Sequence, residues 1–456
     1  MASEWRLAKL GDIVKIEHGW PFKSDLYSGD LTGRPIVVSI GNFNYTGGFR
    51  FGSTLSKEYR GEYPAQYDLN PGEILLVMTC QTAGGEILGM PARVPDDGRR
   101  YLHNQRLGKV VVKRPMEAIP DFLYFLFLAP AFNRELVNSA TGTKILHTAP
   151  SRIETFQFRL PPPHEQRAIA HILGTLDDKI ELNRKMNETL EAMARALFQS
   201  WFVDFDPVRA KAAVRREHPR WTDSEVCRAA LPTLSPEIAA LFPDSFEPSA
   251  LGDIPKGWRV GSLSDVALLN PESWSRTTKP EIIRYIDLAN TKWGRIEATT
   301  VYSKEDAPSR AQRVLRCGDT IVGTVRPGNG SYALVAEDGL TGSTGFAVLR
   351  PRKSEYREFV YLTATAEENI ESLAHLADGG AYPAVRSEVV TAKQIVMPPD
   401  AALANFAKLT ESFISRLAEG ERESDTLAAL RDTLLPKLIS GEIRLKSVEH
   451  FIESVG

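Results

Sequence analysis

The residues of this chain that could do chemistry do not stand at spacings that would let them. Its eight histidines (18, 103, 147, 164, 171, 218, 375 and 450) include no His-Glu-x-x-His or similar ligand pair, so no metal is expected in the chain. Cys80, Cys227 and Cys317 lie far apart with no Cys-x-x-Cys. Such a sparse, odd set fits a reducing cytosol and argues against a disulfide framework. Asn270-Pro271-Glu272-Ser273 and Met397-Pro398-Pro399-Asp400 come nearest to the Asn/Asp-Pro-Pro-aromatic motif of amino-methyltransferases, and both miss it. Neither a Gly-x-x-x-x-Gly-Lys-Ser/Thr phosphate cradle nor a Gly-rich dinucleotide loop after a strand occurs. There is also no Glu-x-Lys, the usual ending of a restriction-nuclease metal site. Spacing leaves open a triad assembled from distant positions, but nothing nominates one.

The elements that would position any site are written twice. Trp5-Arg6-Leu7 with Leu10, Asp12 and Ile13 returns as Trp258-Arg259-Val260 with Leu263, Asp265 and Val266. Leu69-Asn70-Pro71-Gly72-Glu73-Ile74-Leu75 returns as Leu315-Arg316-Cys317-Gly318-Asp319-Thr320-Ile321, and Leu160-Pro161-Pro162 as Met397-Pro398-Pro399. The offset drifts only from 253 to 237 residues. Solenoid repeats have periods of about 20–50 residues, so this is a whole domain-plus-helix unit duplicated in one chain. Each head reads as mixed α/β, with strands expected at 35–40, 73–78 and 109–113 and again at 283–288, 319–323 and 346–349. Helices are expected over 121–139 and 355–377.

After each proline run a long apolar seam begins. The first carries Ile169, Leu173, Leu176, Ile180, Leu190 and Leu197, with Asn183 and Asn187 on the same line and Met186 and Met193 filling in. The second carries Leu403, Phe406, Phe413, Leu417, Leu427, Leu430, Leu434 and Leu438. Spacings near three and four, with one irregular shift in each helix, predict a coiled coil. An antiparallel pair would let the first helix end where the second head begins. About 35 helical residues at 1.5 Å each span roughly 50 Å.

The domains expected are a first head at 1–160, a long helix at 161–206 and a linker at 207–250. A second head at 251–397, a second long helix at 398–443 and a tail at 444–456 complete the chain. The fold class is α+β: two mixed α/β domains in pseudo-twofold arrangement, separated by a long antiparallel two-helix coiled coil. No signal peptide or membrane span is expected, because the most apolar run, 122–132, is broken by Pro130. Net charge is −3, yet residues 1–160 carry 19 basic and 16 acidic side chains, a balance of +3. Each long helix is acidic. No segment is basic enough to hold DNA strongly by counterion release alone.

Pro-x-x-Glu165-Gln166-Arg167 ahead of the first long helix, and Leu438-Ile439-Ser440-Gly441-Glu442-Ile443 ending the second, carry a family resemblance. Together with Trp5…Leu10-Gly11-Asp12, Gly72-Glu73-Ile74-Leu75 and Ser343-Thr344-Gly345-Phe346, they make the whole chain resemble the specificity subunit of type I restriction–modification systems. One departure is Pro399-Asp400-Ala401-Ala402 where a second Glu-Gln-Arg run should stand. The resemblance implies a non-catalytic, cytoplasmic DNA reader whose heads are target-recognition domains for the halves of a bipartite double-stranded site. It implies two methyltransferase subunits bringing S-adenosylmethionine, and restriction subunits with ATP and Mg. Readers of base edges need polar or cationic side chains on exposed loops. That selects Thr79, Gln81, Thr82, His103, Asn104, Arg106, Thr143, Lys144 and His147 in the first head. In the second it selects Thr324, Arg326, Asn329, Ser343, Thr344, Tyr382 and Arg386.

Overall fold

The computed structural model describes residues 5–51, 56–82, 84–378, 380 and 383–443. The chain divides into two compact units, Met1–Asn183 with Arg422–Gly456, and Arg184–Glu421. The expected tail lies outside the described residues.

In the first unit, strands Arg6–Lys9 and Gln157–Leu160 pair antiparallel and tie the start of the domain to its end. A four-stranded antiparallel sheet runs Val14–His18, Leu107–Val112, Ile74–Val77, Pro91–Arg93. Ile74–Val77 is buried on both faces, which is why it reads as a continuous apolar run rather than an alternating one. A second sheet sets Ile36–Val37 parallel to Tyr101–Leu102, with Asp68–Leu69 antiparallel on the far side. The helix expected over 121–139 is two helices, Pro120–Leu128 and Pro130–Ser139. Ala129, held extended (φ −63°, ψ 133°) ahead of Pro130, forces the break.

The second unit repeats this order. Arg259–Ser262 pairs antiparallel with Gln394–Met397. The sheet Ala267–Leu269, Phe346–Pro351, Thr320–Gly323, Tyr332–Leu334 matches the four-stranded sheet of the first unit. Ile282–Ile286 lies parallel to Leu340–Ser343, which lies antiparallel to Ala311–Leu315. The helix expected over 355–377 is again two, Arg357–Ala364 and Glu367–Leu376. The duplication seen in the residues is therefore a duplication of sheet topology.

Segment 207–250, expected to be a linker, is instead folded. Helices Asp206–Glu217, Asp223–Ala230 and Pro236–Ala239 are followed by strand Phe246–Ser249. The correction has a physical cause. The turn Gln199–Val203 presents Trp201 and Phe202, and Phe242 covers Trp201 with ring centroids 4.9 Å apart. Lys211, itself buried, donates from Nζ to the carbonyls of Ala239 and Phe242, which ties the end of the third helix to the first.

Within each unit, the segments it holds of the long helices α1 (Pro163–Phe198) and α2 (Asp400–Ser440) pair antiparallel as a coiled coil. In the first unit, Arg431 donates to Asp177 at 2.8 Å and Asn183 to Glu423 at 2.7 Å, so partner numbers fall along α2 as they rise along α1. In the second, Asn187 donates to the Leu417 carbonyl at 3.2 Å, and Phe198 meets Phe406. The irregular shifts expected in each helix are absent. Gln166, Ile169, Leu173, Leu176, Ile180, Asn183, Asn187, Leu190, Ala194 and Leu197 alternate by three and four without a break. So do Leu403, Phe406, Thr410, Phe413, Leu417, Gly420, Ser424, Leu427, Arg431, Leu434 and Leu438. Thr410 and Gly420 are buried although polar or small, which hid the alternation. Met193 does not fill the seam: it is exposed, and Ala194 takes the place.

Candidate nucleic-acid interface

Beyond the carboxyl ends of the parallel strands Ile36–Val37 and Tyr101–Leu102 of the first unit, the loops at 39–50 and 103–106 diverge around a cleft of about 550 Å³. Its walls include Tyr27, Tyr45, Arg50, Lys57, Gln81, Thr82, Asn104, Gln105 and Arg106. Three cations and several amides line it, and no carboxylate does. Two loops that the sequence nominated separately, 81–82 and 104–106, are thus brought together.

The 103–106 turn is built rigidly. The Trp20 amide donates to the His103 carbonyl at 2.8 Å, and the Gln105 amide to the Trp20 carbonyl at 3.0 Å. A Cβ on Gly19 would stand 2.2 Å from the Asn104 carbonyl oxygen, so only glycine lets the turn press this close. Asn104 Oδ1 accepts the Arg106 amide at 3.0 Å and turns the backbone so that Arg106 is exposed. Tyr27 at the cleft floor has its phenol pKa raised by burial, while nearby Arg106 and a hydrogen bond with Asn104 lower it. Arg50 is held by its Nε donating to the Gly41 carbonyl at 3.2 Å.

His103 is corrected from base reader to structural group. It is 1% exposed, with Nε2 2.8 Å from the Leu107 carbonyl, and burial holds its pKa down at about 4. A neutral ring is then the donor to that carbonyl. Thr79 is also buried, its hydroxyl 3.1 Å from Nδ1 of His147. Thr79 supports His147, which lies exposed with Thr143 and Lys144 on a separate loop. That loop closes on itself through reciprocal amide–carbonyl bonds between Thr141 and His147.

In the second unit, the Thr324 amide and hydroxyl both donate to the Gly345 carbonyl, at 2.8 and 2.9 Å, and Ser343 Oγ accepts the Gly345 amide at 3.2 Å. Both side chains are buried, so Thr324 and Ser343 shape the loop rather than present it, a second correction. Thr344 is half-buried, its amide donating to Arg310. Arg326, Asn329 and Arg386 are exposed. The Arg326 amide donates to the Pro383 carbonyl at 2.7 Å and the Val385 amide to the Thr324 carbonyl at 2.9 Å, which draws the two loops alongside each other. Tyr382 lies outside the described residues. Sequence reasoning missed Tyr27, Tyr45, Arg50 and Lys57. The alternating aromatics Phe43, Tyr45, Phe49 and Phe51 around Gly47-Gly48 were the signal available.

The Glu165-Gln166 pair has a structural role. Gln166, fully buried, donates from Nε2 to the carbonyls of Glu117 (2.7 Å) and Pro161 (2.8 Å), and its Oε1 accepts the Ile119 amide at 2.9 Å. Glu165 accepts the Trp5 indole N–H at 2.9 Å. Ala402 and Leu403 occupy the matching positions of α2, and the buried Trp258 indole nitrogen has no hydrogen-bond partner among the described residues. The two helix starts therefore do not make the same contacts.

The first-unit cleft, lined by three cations, several amides and no carboxylate, can receive an anionic ligand. Residues 2–192 match the family described as Type I restriction modification DNA specificity domain. The chain is 27% identical over 411 residues to the Type I restriction enzyme HindI specificity subunit of Haemophilus influenzae, covering 79% of this chain and 86% of that one. It is 24% identical over 341 residues to the MjaIX specificity subunit of Methanocaldococcus jannaschii, covering 72% and 70%. In fold it resembles the type I S subunit from M. genitalium, with a TM-score of 0.50 at 15% identity over 95% of this chain and 96% of that one. Among the described residues, no helix is long and apolar enough to cross a membrane, and no cluster of His, Cys, Asp or Glu could hold a metal ion.

Proposed function

We propose that each unit reads one half of a bipartite double-stranded target, with α1 and α2 setting the nonspecific spacer and docking two methyltransferase subunits. This chain reads sequence and performs no catalysis. Methyltransferase subunits supply S-adenosylmethionine and adenine-N6 chemistry, and restriction subunits supply ATP-driven, Mg-dependent cleavage. The observation that carries the reading is the first-unit cleft, where Arg50, Lys57 and Arg106 converge with Gln81 and Asn104 and no carboxylate opposes them. Amides and guanidinium groups on stiff loops match base edges and phosphates. The heads' small net charge accords with partners supplying most of the phosphate contacts.

The test compares DNA binding by the chain alone and by the chain with its methyltransferase partner, at one salt concentration. Tight, sequence-specific binding is expected only from the complex, and Arg106→Ala should weaken it by about 10- to 100-fold. Equal specific affinity with and without the partner would defeat this division of labour. A complex giving no sequence-dependent protection would make the heads protein-binding scaffolds instead.

A further inference from the structure

The two units carry an exposed aromatic ring at matching positions. Ile36 and Arg284 occupy the same place in their sheets, each opposite a residue of the parallel strand (Tyr101, Leu340) that is paired in turn with Leu69 or Leu315. The offset that takes Ile36 to Arg284 takes Tyr45 to Trp293. Tyr45 stands at the tip of the turn closed by the Phe43–Phe49 bridge and is 53% exposed. Trp293 stands at the tip of the hairpin joining Thr291–Lys292 to Arg295–Ile296 and is 58% exposed. Loop lengths and side chains differ between the units, yet an outward-facing ring is kept at both tips.

The Trp293 tip carries a backbone cost. Trp293 has φ +47° and Gly294 φ +89° in a two-residue connection, the signature of a type I′ turn. Asn or Asp is the easy residue at the first position, and a bulky side chain there is strained. The turn is fixed by the Trp293 amide donating to the Gly330 carbonyl at 2.6 Å, and the indole rests on Gly330, where a Cβ would meet it at 2.5 Å. Gly330 directly follows Asn329, in the loop that presents Arg326. Lys292 and Arg295 stand either side of the turn in sequence, with Lys292 Nζ donating to Ser331 Oγ at 3.1 Å. In the first unit, Tyr45 lines the same carboxylate-free cleft as Arg50, Lys57 and Arg106. The Trp293 ring also lies edge-on to Tyr332, centroids 6.1 Å apart, yet Trp293 stays more than half exposed at a strained turn.

We propose that Tyr45 and Trp293 are equivalent positioning residues, each laying its ring against the face of a nucleobase that is unstacked from the duplex in its own half of the target. This deepens the reading above and rests on it. A π-face is common to every base, so the contact anchors each head without choosing the sequence; flanking cations hold the phosphates and amides read the edges.

The experiment uses the full chain assembled with its methyltransferase subunits and a duplex carrying the target mapped by methylation sequencing. Trp293→Asn should keep or raise the melting temperature, because Asn relieves the turn, while specific affinity falls by about 10- to 100-fold. Trp293→Phe, which keeps a ring, should retain most of the affinity, and Tyr45→Phe and Tyr45→Ala should divide in the same way. The slope of log affinity against log salt should not change, since no phosphate contact is lost. Specific binding by wild type with Trp293→Asn within twofold of it would overturn the inference and leave the parent reading standing. Equal losses in Trp293→Phe and Trp293→Asn, or a slope reduced by about one, would also overturn it. Absence of specific binding by the wild-type complex would defeat the parent reading and this inference with it.

Discussion

Neutral His103 gives the first unit a pH signature. An exposed histidine titrates near 6.5, and burial brings the folded-state value down to about 4. Between these values the unfolded chain binds a proton that the folded one refuses, so stability rises with pH across this window. The contribution is fully present above about 6.5 and is lost as pH falls toward about 4. Its size is on the order of 3 kcal/mol. Unfolding of the first unit followed by hydrogen exchange at pH 7, 6 and 5 should show this loss, and His103→Gln should flatten it; an equal slope in the variant would refute the assignment. The same residue shows how far single positions were legible. Composition nominated the turn at 103–106 for contact with DNA; in the structure the turn walls a cleft, and composition does not say which of its side chains points inward. That depends on Gly19, far away in sequence, allowing the turn to press against Trp20. Arg50 and Lys57 were invisible for the same reason: nothing local to them says that their loop faces Asn104.

At the scale of elements, the coil's middle is polar by construction. Asn183 and Asn187 on α1 face Ser424 and Gly420 on α2, and both asparagine Oδ1 atoms are buried without a hydrogen-bond partner among the described residues. Apolar residues there would bind more strongly, so the polar stretch costs stability and can fix register. A Cβ on Gly420 would stand 2.7 Å from Asn187 Oδ1. Two effects of Gly420→Ala then oppose each other. Helix propensity favours alanine by about 1 kcal/mol, whereas displacing a buried amide that holds the Leu417 carbonyl costs about 1–3 kcal/mol. Gly420→Ala should therefore destabilise the wild-type second unit and stabilise one that already carries Asn187→Ala. A double-mutant cycle by thermal unfolding gives this sign change, and additive effects would exclude the contact. The long helices and buried strands were legible because their apolar periods are strong and local. The break at Ala129 is written locally in Pro130, whereas the break at Thr365 and the folded segment after Phe205 depended on packing that no window of sequence contains. Thr410, Gly420 and Arg431 made an unbroken heptad look irregular, since position rather than residue type defines a seam.

At the scale of the molecule, one unit's topology is used twice while its loops diverge. Duplication preserves the frame, because the buried strands, the paired first and last strands and the helix seams must all agree for each unit to close. The loops at the strand ends are free of that constraint and can change what they read. If α1 and α2 set the spacer as proposed, the length of the seam is a physical parameter of the target. Each helix follows a strict three–four alternation, so seven residues inserted into both, at the polar stretch, keep every knob on its side. At 1.5 Å per residue the insertion adds about 10 Å, the length of roughly three base pairs of B-DNA. Methylation mapping of a strain carrying such a chain should give both half-sites unchanged and a spacer longer by about three base pairs. A four-residue insertion rotates the seam as well and should cost assembly besides length. Exchanging 251–397 for the matching head of one of the similar specificity subunits should alter one half-site only. An unchanged spacer after the heptad insertion would remove the helices as the ruler. Changes in both half-sites after the exchange would mean that the heads do not read independently, however similar their sheets.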